Sequence, residues 1–139
     1  MYSKILLAVD GSDHSLRSAK EAITIAGANP ESQITVVYVA DHDNAKNDVL
    51  HSGSPVELDL QRRKKLKPVE EAIAAENISC RVEILHGIPG PAIVEYANQE
   101  GFDILVIGSR GLNSLQEMVL GSVSHKVVKR ANCPVLIVK

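Results

Sequence analysis

The feature that most constrains this chain is a regular alternation of short apolar runs with stretches of helical spacing. Lys4–Val9 (KILLAV) is stopped by Asp10-Gly11-Ser12. Residues 13–27 then place Leu16, Ala19, Ala22, Ile23 and Ala26 at helical intervals, with Ser12 or Asp13 available as an N-cap. Asn29-Pro30 closes that helix, and Gln33–Ala40 (QITVVYVA) reads as a buried strand. A polar stretch, 41–56, matches no pattern. Helical spacing returns from Glu57 to Ala75 through Leu58, Leu60, Leu66, Val69, Ile73 and Ala74. Ile78–Leu85 alternates apolar and polar residues, which predicts a half-exposed strand at a sheet edge. Gly87–Gly90 reads as a turn, and Pro91 opens a short helix to Gln99. Asp103–Ile107 is a buried strand, residues 122–130 a helix, and Pro134–Lys139 a last strand.

A β-α-β-α-β-α-β-α-β order without repeat or linker predicts one α/β domain over residues 1–139. Its doubly wound open sheet is mostly parallel, with helices on both faces. Five strands in this pattern favour the order 3-2-1-4-5. The chain then reverses its direction of travel across the sheet between the first and fourth strands. Ligands of open α/β sheets bind beyond the carboxyl ends of the strands at such a point. The loops that flank it, Asp10–Asp13 and Gly108–Gly111, are also the most glycine-marked strand ends.

Composition narrows the classes of function. Hydrophobic residues make up 45% and charged residues 23%, while aromatics are only 3%, so the core is aliphatic. A net charge of −2 gives no general affinity for nucleic acid or anionic membranes. The run Arg62, Arg63, Lys64, Lys65, Lys67 lies beside Glu70 and Glu71 and reads as the solvated face of a helix. No segment suits a signal-peptide core or a membrane span, so the expected location is the cytoplasm. Cys80 and Cys133 lack any metal-ligand or redox spacing and read as buried thiols in a reducing compartment. His42 and His51 stand near Asp41, Asp43 and Asp48 without the spacing of a metal site.

The chemistry concentrates in Gly108-Ser109-Arg110-Gly111, nine residues, then Gly121-Ser122. Glycine at a strand end permits positive φ and a close backbone approach. Gly121-Ser122 opens the last helix, whose free N–H groups and dipole favour an anion. Its first turn, Ser122-Val123-Ser124-His125, holds no acid, and Lys126, Lys129 and Arg130 lie toward the other end. That leaves the positive end open for a phosphate.

This spaced-glycine motif resembles the nucleotide-binding signature of the universal stress protein family. The opening Ile5–Ser12, the strand ending Val37-Tyr38-Val39, Gly87-x-Pro89, Asp103–Gly108 and the closing Cys133–Val138 are similar to that family in the same order. The resemblance implies ATP as ligand, with Mg2+ or Mn2+, and a homodimer. It also implies roles for single residues. Asp10 lies near the ribose or a phosphate-bound metal, and Val9, Gly11 and Ser12 line the start of the pocket. Val39 meets the adenine edge through its backbone. Gly108, Arg110 and Gly111 border the ribose and phosphate track, and Gly121, Ser122 and Val123 hold phosphates.

Read as residues alone, several of these positions keep a second meaning. Asp10 is also a common turn residue, Ser12 a helix cap, Arg110 a solvent-facing cation and His125 a surface or packing histidine. Three functions compete: a nucleotide-binding regulator, a slow ATPase or phosphotransferase, and an interaction module that binds no nucleotide. The sequence has no GxxxxGK[ST] loop, GxSxG elbow or HExxH pair, and Asp10 and His125 have no visible orienting partner as general bases. The regulator is therefore the reading adopted. The last strand, Val135–Val138, is an apolar edge without an internal charge. It is most simply covered by the same strand of a second copy, the alternative being a loop or helix of the same chain.

Overall fold

The computed structural model describes residues 2–40, 55–109 and 121–139. In chain order the elements are β1 (Lys4–Val9), α1 (His14–Ala26), β2 (Gln33–Ala40), α2 (Pro55–Ala75), β3 (Ser79–His86), α3 (Pro89–Glu100), β4 (Ile104–Gly108), α4 (Ser122–Arg130) and β5 (Val135–Val138). The strands form one sheet in the order β3-β2-β1-β4-β5, and every neighbouring pair is parallel. The predicted fold class and strand order are therefore observed.

Alternation along the central strands divides the core into two layers. Ile5, Leu7 and Val9 of β1 meet Ala19 and Ala22 of α1 and Leu66, Val69 and Ile73 of α2. Leu6 and Ala8 point to the opposite face, against Ile93 and Ala97 of α3 and Val127 of α4. Leu6, Leu7, Ile34, Leu66, Ile73 and Leu105 are fully buried, each contributing roughly 1.5–3 kcal/mol. β3 is half-buried along most of its length, as its alternating pattern predicts for an edge strand. Among the described residues, no helix is long and apolar enough to cross a membrane.

Three expectations need correction. The helix after β3 starts at Pro89, not Pro91. Proline is tolerated in a first helical turn, and Gly90 is buried there, where an added Cβ would stand 3.0 Å from Cδ of Lys126. The glycine is thus a packing position between α3 and α4 rather than part of a turn. On α2, Leu60 is 56% exposed whereas Arg62 is only 4% exposed, so the basic run is not a uniformly solvated face. Arg62 stands four residues before Leu66 and shares its inward stripe with Val69 and Ile73. Finally, the cysteines are free but half-buried rather than buried. Burial, with a contribution from Glu70, pushes the Cys80 thiol up to about 11, and burial also raises that of Cys133.

Candidate functional site at the carboxyl ends of β1 and β4

The register brings the two predicted loops side by side. Ala8 pairs with Ile107, so the chain leaves β1 at Asp10 next to where it leaves β4 at Ser109. Val9 pairs with Tyr38, which puts Val39 level with Asp10 on the other flank. Gly108 pairs with Val138, and the Ser109 N–H donates to the Val138 carbonyl at 2.8 Å.

The turn after β1 is organised by its own side chains. The Asp10 carboxylate accepts from the Ser12 N–H at 3.0 Å, from the Ser12 hydroxyl and from the Ser15 hydroxyl at 3.3 Å. Ser15 Oγ also accepts from the Asp10 N–H at 3.4 Å. Ser12 therefore holds Asp10 and does not cap α1, whose N-cap position is Asp13 with no side-chain capping bond. Gly11 has φ +80°, a conformation that L side chains rarely adopt. Asp10 thus has the local turn role and lies half-buried at the strand ends.

The other wall is the start of α4. Gly121 N–H donates to the Ser109 carbonyl at 3.1 Å, and the buried Ser124 hydroxyl donates to the Gly108 carbonyl at 2.6 Å. These two bonds hold the first turn of α4 against the end of β4. The first helical bond runs from the His125 N–H to the Gly121 carbonyl. The N–H groups of Ser122, Val123 and Ser124 precede it and have no helical acceptor. The first turn carries no acid, and Lys129 and Arg130 occupy the last. This polarity suits an anion at the N-terminus.

Gly121 has φ −59°, which any residue adopts, so conformational freedom does not explain it. The reason is space: an added Cβ would lie 3.2 Å from the Ser109 carbonyl oxygen. Ser122 and His125 are exposed and Val123 is half-buried. Val9 belongs to the core beneath the site, so only its backbone faces a ligand.

Of the predicted positions, Val9, Asp10, Gly11, Ser12, Val39, Gly108, Gly121, Ser122 and Val123 lie at the carboxyl ends of β1, β2 and β4 and the adjoining start of α4. Arg110 and Gly111 lie outside the described residues, as do His42 and His51. Sequence reasoning missed Ser15 and Ser124. Each is a small hydroxyl in the first turn of a helix that follows a glycine-marked strand end, a pattern that could have singled them out.

Comparison with known proteins agrees over the whole chain. The family model for the universal stress protein family matches residues 1–139. The universal stress protein YxiE of Bacillus subtilis is 35% identical, with 100% of each chain covered. The solved structure of MJ0577, a universal stress protein of Methanocaldococcus jannaschii, superposes with a TM-score of 0.86 at 29% identity, covering 100% of this chain and 96% of that one. A universal stress protein solved in complex with cAMP superposes with a TM-score of 0.73 at 27% identity, covering 99% and 97%. Sheet order and these matches along the full length agree, and the chain belongs to the universal stress protein family.

Proposed function

We propose that this protein binds an adenine nucleotide, ATP in the first instance, and that occupancy changes its conformation or its partners. One observation carries the reading. The Asp10 turn and the N-terminus of α4 converge on the same strand ends, with the helix held there through Gly121 and Ser124. The first-turn N–H groups suit phosphate oxygens, and the tight space at Gly121 suits a backbone cradle. Asp10 is the residue suited to a ribose hydroxyl or to a phosphate-bound Mg2+ or Mn2+. The related protein solved with cAMP supports the adenine class.

Mass spectrometry of nucleotide released from the purified, denatured protein tests the reading. The expected result is an adenine nucleotide in near-stoichiometric amount. A preparation free of nucleotide that also takes up none on incubation with ATP would overturn it.

The regulator remains the favoured class over an enzyme, with hydrolysis slower than about one event per minute against a typical enzyme range of roughly 1–1000 per second. Assembly is proposed through β5, a sheet edge whose four apolar residues are all half-exposed. Ile137→Lys is expected to shift a homodimer toward monomer in sedimentation while nucleotide binding persists. An unchanged sedimentation coefficient would place the interface elsewhere.

A further inference from the structure

The buried Arg62 has a neighbour that the strand-end crevice does not yet account for. Helix α2 connects the parallel strands β2 and β3, so it runs antiparallel to them, and its N-terminal part lies toward their carboxyl ends. A Cβ built on Gly11 would stand 3.5 Å from both Cβ and Cδ of Lys65 and 3.8 Å from Cε2 of Tyr38. The Lys65 stem therefore lies over the Asp10-Gly11 turn, with its ammonium two bonds further out. Arg62 is three residues earlier on the same helix, one turn nearer the open end, and 4% exposed. A guanidinium or ammonium is retained in such a place where an anion compensates it. The Asp10 carboxylate is one such anion, beside Gly11.

Donor groups thus approach these strand ends from both layers. α4 offers first-turn N–H groups from one face of the sheet, and α2 brings the Lys65 stem to the Gly11 turn from the other, with the buried Arg62 one turn earlier on the same helix. We propose that Arg62 and Lys65 form the second wall of the crevice and recognise the phosphate charge of its ligand. They rank nucleotides by phosphate charge, and the adenine part contributes separately. This inference rests on the nucleotide reading above for the identity of the ligand, but not for the presence of the cations.

The test is calorimetric titration at low salt with adenosine, AMP, ATP and inorganic triphosphate as separate probes. Lys65→Met keeps the stem over Gly11 and removes the charge. It is expected to weaken ATP about fivefold and adenosine less than about twofold. Arg62→Gln is expected to weaken ATP more strongly, with Arg62→Lys recovering part of the loss. If either Arg62 variant fails to fold, Lys65→Met and the charge reversal Lys65→Glu decide the matter. Equal losses for adenosine and ATP, or no loss for ATP, would overturn the proposal. Inorganic triphosphate separates the two readings. Uptake by the wild type that weakens in Lys65→Met, with no uptake of adenosine, keeps the cationic wall and removes the adenine assignment. No uptake of either probe removes both.

Discussion

The two ends of the sheet use polar groups in opposite ways. At the amino end they close on one another across the sequence. The Asp103 carboxylate takes the N–H groups of Ser3 and Lys4, both at 2.9 Å. Lys4 Nζ donates to the Glu100 carbonyl at 2.8 Å and lies 5.0 Å from the centre of the Phe102 ring. Asn98 donates to the Arg130 carbonyl and accepts from the Asn132 N–H. An open depression lined by Asn98, Phe102, Asn132 and Cys133 lies there, and the Asn98 amide in it is engaged through both its oxygen and its nitrogen. At the carboxyl end, among the described residues, Asp10 bonds within its own turn to Ser12 and Ser15, and the Ser122, Val123 and Ser124 N–H groups of α4 precede its first helical bond. Both ends carry an acid after or before a strand. Asp103 ties down the residues that open β1, whereas Asp10 shapes the turn that follows it. Hydrogen bonds between distant residues stitch the amino end together, and bonds within one turn shape Asp10 at the carboxyl end.

The largest effect is expected at Gly121. Gly121→Val is expected to abolish measurable ATP binding by calorimetry, because its Cβ would stand 3.2 Å from the Ser109 carbonyl oxygen and its methyls would crowd the close approach of α4 to β4. Unchanged affinity would mean that this close approach does not build the site. Asp10→Ala comes next, with nucleotide affinity falling about tenfold and stability by less than about 1 kcal/mol. A loss of fold without a separable binding defect would make Asp10 an amino-end-type residue in the wrong place.

Asp103→Ala should show the reverse. Stability in denaturant titration is expected to fall by about 1 kcal/mol, modest because the carboxylate is exposed, with ATP affinity unchanged. The smallest effect is its pH dependence. Hydrogen bonds from the Lys4 and Ser3 backbone hold the Asp103 carboxyl below its ordinary value of 3.8. A depressed carboxyl stabilises the fold above its unfolded pKa and loses that contribution as pH falls through the folded one. The wild type should therefore lose more stability than Asp103→Asn as pH drops below about 4. Parallel curves for the two proteins would remove Asp103 from the account.

What was legible in the sequence follows from how local each cause is. The apolar runs of β1, β2 and β4 and the alternation of β3 are properties of adjacent residues, and their boundaries agree to within a residue. Strand order follows from the alternation of elements, and the crevice follows from strand order. Contacts between elements were not legible. Gly90 reads as a turn until Lys126 is seen lying on it. Arg62 reads as solvated because its neighbours are charged, although helical register with Leu66 and Val69 turns it inward. The Ser124 hydroxyl finds the Gly108 carbonyl 16 residues away, a partner no local pattern names. At Gly121 the glycine was legible but its cause was not, since the backbone there is ordinary and only the nearby carbonyl excludes a side chain.

The most direct test of the contrast between the two ends is to follow backbone amide resonances while ATP is added. Large shifts are expected at Asp10, Gly11, Ser12 and Val39 and at Gly121, Ser122 and Val123, with Ser3, Lys4, Asp103 and Asn132 nearly unmoved. Shifts concentrated at the amino-end residues, or no saturable shifts at the carboxyl end, would contradict it.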